Sequence, residues 1–75
     1  MDLFLKAAWK GTESEPVIQQ LKGISEIRSA EALPTLDGFI IRVEVTDGQH
    51  LRAVGAKITE IVGGEVFLII EERLS

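Results

Sequence analysis

The sequence predicts a two-layer α+β sandwich. Three observations carry that expectation: apolar residues alternate with period two in four segments, they recur at helical spacing in two others, and turn or stop residues separate them. The order is strand, helix, strand, strand, helix, strand. A chain of 75 residues has room for one domain and one core, and no composition shift or linker divides it, so residues 1–75 are expected to form a single unit. Hydrophobic residues make up 45% of the chain and charged residues 27%, the balance of a folded domain. Aromatics are only 5% (Phe4, Trp9, Phe39 and Phe67), so the core is expected to be aliphatic.

Each element has its own signal. From Asp2 to Lys10, Leu3, Leu5, Ala7 and Trp9 share one face and Phe4, Lys6, Ala8 and Lys10 the other, which reads as a strand ended by Gly11. Thr12 and Glu15 have the spacing of a capping box, Pro16 is tolerable in a first turn, and Val17, Leu21 and Ile24 repeat helically up to a stop at Gly23. Glu26 to Leu33 reads as an edge strand, closed by Pro34. Asp37-Gly38, between two strand-like runs, signals a hairpin over Thr35 to Gly38. Phe39 to Thr46 alternates cleanly. Asp47 suits the N-cap of a second helix, with Leu51, Val54, Ile58 and Ile61 as its apolar stripe and Gly63-Gly64 as its stop. Glu65 to Leu74 reads as the last strand.

A faint internal repeat aligns Asp2–Trp9 with Gly38–Val45, so that Leu5 meets Ile41 and Ala7 meets Val43. Two split strand-helix-strand halves with right-handed crossovers give a ferredoxin-like βαββαβ sandwich: a four-stranded antiparallel sheet, strand order four, one, three, two, with both helices on one face.

Composition excludes several function classes. With no Cys there is no disulfide, thiolate metal site or Cys nucleophile, and a single His leaves no multi-histidine site. Twelve acidic against eight basic residues give a net charge of -4, which does not attract nucleic acid by bulk electrostatics. No segment approaches the length of a membrane span, and the N-terminus lacks the pattern of a signal peptide. The expectation is a soluble cytoplasmic protein without cofactor or metal.

The face of the sheet away from the helices is the most informative feature. With Leu3, Leu5, Ala7, Trp9, Phe39, Ile41, Val43 and Val45 under the helices, the open face is expected to carry Phe4, Ala8, Ala30, Ala32, Ile40 and a pair from the last strand, either Phe67 with Ile69 or Val66 with Leu68. Monomers seldom expose so large an apolar patch. Self-association is the direct physical answer, and the expected contacts are Phe4, Ala8, Ala30, Ile40, Phe67 and Ile69. An RNA-binding sheet would need a basic surround that is missing here.

Other residues carry weaker signals. His50, in the first turn of the second helix, reads as a solvated position rather than a proton shuttle. Arg42 and Glu44 fall on the open face, where they suit pairing across a dimer interface, and Arg42 also suits a ligand carboxylate. Gly63-Gly64 follows a helix and is no phosphate loop. Nothing ties a serine or a carboxylate pair to His50, so no catalytic residue is assigned and no enzyme activity is expected.

The stretches VIQQLKGISEIRSAEAL, DGFIIRVEVTD and HLRAVGAKITEIVGGEVFLIIEERL resemble the effector-binding (RAM-type) domain of the leucine-responsive regulator (Lrp/AsnC, feast/famine) family between Val17 and Leu74. GTESEPVIQQL is also similar to the start of the C-terminal NIL domain of methionine-import ATPases. ACT domains share the topology, but their Asp-Arg-Pro-Gly-type loop is absent. The regulator resemblance implies a stand-alone module that dimerises through its sheet and binds an amino acid between subunits. The family's Gly-x-x-Asp motif does not occur at its usual spacing in PTLDGF. A ligand would sit near Thr35, Asp37, Gly38 and Arg42. The alternatives are a ligand-free interaction or scaffold domain and a small dimeric ferredoxin-like enzyme.

Overall fold

The alternating segments fold as strands and the helically spaced ones as helices. A computed structural model describes residues 1–11, 13–33 and 38–71, with the main chain alone for 70 and 71. The elements are β1 (Asp2–Ala8), α1 (Ser14–Lys22), β2 (Ile27–Leu33), β3 (Gly38–Glu44), α2 (Gly48–Val62) and β4 (Val66–Glu71). They form a four-stranded sheet in the order β2-β3-β1-β4, antiparallel at every pairing. This is the expected ferredoxin-like arrangement, with β2 and β4 at the edges. The hairpin residues 34–37 and the C-terminal residues 72–75 lie outside the described residues.

Alternation on β1 and β3 loads one face of the sheet. Leu3, Leu5 and Ala7 pair with Val43, Ile41 and Phe39, and all six are buried. Leu21 of α1 and Val54 and Ile58 of α2 close the core from above. Trp9, just past β1, sets its ring 5.0 Å from that of Phe39 at 46°. The core contains no buried polar or charged residue among those described.

β2 departs from the alternation read in the sequence. The register slips between Ile27 and Ser29: Ile27 faces Val43, but Ser29 faces Arg42, leaving Arg28 as an extra residue. This bulge turns both Ile27 and Ala30 toward the helices. Ala30 is 4% exposed and lies opposite buried Ile41, so it belongs to the core and not to the open face where its sequence position placed it. Ala32 lies opposite Phe39 on the same covered side.

The helix ends follow local chemistry. Asp47 caps α2 as expected, its side chain accepting from the His50 N–H at 2.8 Å. Gly63 ends the helix in the left-handed region at φ 70, with its N–H donating to the Thr59 carbonyl at 2.7 Å. The N-cap of α1 is Glu13, without a side-chain cap bond, and Thr12 of the expected Thr12–Glu15 box lies outside the described residues. Gly23 ends α1 in right-handed geometry, donating to the Gln20 carbonyl at 3.1 Å.

Gly38 and Gly64 are required by close approach. A Cβ on Gly38 would collide with the Ala7 carbonyl oxygen, and one on Gly64 with that of Ala8. Gly55, in the middle of α2, is different: a Cβ there meets nothing within 4 Å. Gly64→Ala is therefore expected to destabilise the fold by about 1–3 kcal/mol through forced displacement of main chain. Gly55→Ala is expected to stabilise it by about 0.5–1 kcal/mol through helix propensity alone. Urea unfolding of the two variants beside the parent checks both signs.

Candidate functional site

Register places side chains on the open face in rows that cross the sheet. One row runs Glu31, Ile40, Lys6, Phe67 from β2 to β4; the next contains Ser29, Arg42 and Phe4. Phe4, Ala8, Ile40 and Phe67 thus share the expected face, but Lys6 and Arg42 stand among them. The Arg42 guanidinium lies 5.8 Å from the centre of the Phe4 ring and 3.2 Å from Asp2 Oδ2. Long cationic side chains lying along the sheet cover apolar surface, and Phe4 and Ile40 are only half-exposed. The centre of this face is mixed rather than continuously apolar.

Exposed apolar surface collects instead at the β4 edge. Phe67, Leu68 and Ile69 are 49%, 54% and 48% exposed. Phe67 pairs with Lys6 on the open face and Leu68 with Leu5 on the covered face, while Ile69 occupies a register shift. The last strand therefore presents large side chains on both faces, next to a main-chain edge with no neighbouring strand among the described residues.

Of the expected ligand residues, Thr35 and Asp37 lie outside the described residues. Gly38 and Arg42 fall on one face of β3 at its start and centre. Gly38 is buried and lies between Leu33 and Ala8. Arg42 and Glu44 pair within the chain: Arg42 with Asp2, and Glu44 with Arg28, whose Nε and Nη2 both donate to Glu44 Oε2. Both ends of the expected interface pair are thus engaged internally. Among the described residues no cluster of three or more His, Asp or Glu could hold a metal ion. No helix is long and apolar enough to cross a membrane, again among the described residues.

His50 is not a solvated helix position. The Thr46 N–H donates to Nδ1 at 3.0 Å, so Nδ1 carries no proton. The proton is on Nε2, which donates to Glu26 Oε2 at 2.8 Å. The ring ties the start of α2 to the turn before β2, where the Glu26 carbonyl also accepts from the Glu44 N–H at 2.9 Å. The His50 hydrogen bond is the main reason the Glu26 carboxyl is lowered from the usual 4.5 to about 2; bonds from its own N–H and from Ser25 add to it. Asp47 and His50, three apart at a helix start, are visible in the sequence, but Glu26 is distant in the chain and no spacing signals it.

No family model matches the chain. No curated protein matches it either. Among solved structures, a glycine-to-threonine mutant of Rv3291c matches with a TM-score of 0.66 and 19% sequence identity. The match covers 97% of this chain and 53% of that one, so this chain spans about half the length of its structural neighbour. At that identity the likeness establishes a shared fold.

A carboxyl lowered by folding adds stability above its ordinary range and loses it on acidification. The Glu26 contribution is thus expected to be complete above about pH 4.5 and to vanish as the pH falls toward 2. Glu26→Gln should be less stable than the parent at neutral pH, and the gap should close across that window. Parallel chemical unfolding of both proteins from pH 7 to pH 2 measures it, and a gap independent of pH would refute the coupling.

Proposed function

We propose that this chain is a small regulatory module that self-associates through β4 and the adjoining open face. In this reading it binds an amino acid or similar metabolite where copies meet, as the regulator resemblance implies, and it is not an enzyme. The observation that carries the reading is the run Phe67-Leu68-Ile69, about half exposed on an edge strand. Complete burial of such a side chain is worth about 1.5–3 kcal/mol, and each has roughly half of that still to gain. The main chain of β4 adds unpaired donors and acceptors along the same edge. Asp2 and Lys6 on the adjoining β1, and Arg42 one strand further on, supply the polar surround typical of interfaces. Arg42, held over Phe4, is the cation of the open face best placed for a carboxylate, at the cost of its pairing with Asp2.

Light scattering after size exclusion is expected to give a mass of at least twice the 8.2 kDa chain. Phe67→Lys should shift it to the single-chain mass with circular dichroism unchanged; a parent that stays single at millimolar concentration would sink the assembly. Thermal-shift screening across the amino acids should find at least one that raises the melting temperature, with Arg42→Gln abolishing the response. Silence from all of them would remove the ligand and leave a pure interaction module.

A further inference from the structure

The covered side of the sheet holds a groove that shares only Leu68 with the assembly reading. It runs between α2 and β4 and encloses about 240 Å³. Its apolar lining is Leu5, Leu51, Val66 and Leu68, and α2 contributes Arg52, Gly55 and Thr59. These last three stand three and four residues apart, so they lie along one ridge of the helix.

Gly55 lines this groove without a side chain. The glycines at 38 and 64 answer to nearby carbonyls and that at 63 to a left-handed backbone. Gly55, like Gly48, answers to neither, and in mid-helix it weakens α2 at a place where a Cβ would meet nothing within 4 Å. Its bare backbone forms part of the groove wall between α2 and β4. A second cleft of about 310 Å³, beside Trp9 and Gly63-Gly64, lacks this feature, because its glycines are already explained by the backbone.

Arg52 gives the groove a charge preference. It is exposed at the rim, and no acidic side chain among the described residues pairs with it. In a chain with a net charge of -4, a cation beside an apolar floor favours an anion with an apolar body. One guanidinium matches a single carboxylate. The volume holds roughly eight groups the size of a water molecule.

We propose that the α2–β4 groove binds a small monocarboxylate with a short aliphatic tail, the carboxylate on Arg52 and the tail over Leu5 and Val66 beside Gly55. The site lies within one chain and does not depend on self-association. Nitrogen-edited NMR titration of the whole chain with isocaproate tests it. Amide shifts should cluster at Arg52, Gly55, Thr59 and Val66, and isocaproamide, which lacks the charge, should bind at least fivefold more weakly. Gly55→Leu should abolish the shifts, and Arg52→Gln, on the exposed rim, should erase the preference for the acid even if the leucine variant fails to fold. Absent or scattered shifts, or equal binding of acid and amide by the parent, overturn the proposal. A changed solution mass in Gly55→Leu with no isocaproate response in the parent also overturns it, assigning the groove to a side chain of a second copy.

Discussion

The end of β1 is the point on which the rest of the molecule depends. There the Ala7 carbonyl faces the start of β3 at Gly38, and the Ala8 carbonyl faces Gly64, just before β4. The Ala8 N–H donates to the Glu65 carbonyl at 2.8 Å. Because neither glycine carries a side chain, β3 and β4 can both close against β1, making it a central strand. Once β1 and β3 are adjacent, their alternation puts six buried side chains on one face, and both helices must cover that face.

Much of this is legible in the sequence because its causes are local. Period-two patterning, an Asp cap and a left-handed glycine each act within a few residues. The strand order follows from crossover handedness once the element order is known. The bulge at Arg28 is not legible, since either alternation of IRSAEAL buries something apolar. Only the register against β3 decides that Ile27 and Ala30 point inward together. The Glu26–His50 bond likewise depends on two turns meeting in space. The ion pairs of Arg42 and Glu44 show the same limit: the sequence puts both on the right face, but not beside Asp2 and Arg28.

The open face also shows how side-chain length changes a surface that residue types alone describe as oily. The lysine and arginine at its centre shield Phe4 and Ile40, so the unshielded apolar surface moves outward to β4. Between that strand and α2 lies the groove lined by Leu5, Gly55 and Val66, with the exposed Leu68 also in its lining.

The two margins of the sheet are unlike. β2 is kinked by its bulge and dressed with Arg28, Ser29 and Glu31, features that discourage another strand from aligning there. β4 is bare and greasy. On the proposed self-association through β4, each of two joined copies would spend its sticky side and the paired sheet would end in two blunt margins. Such a union would close as a finite two-fold body instead of growing into a fibre.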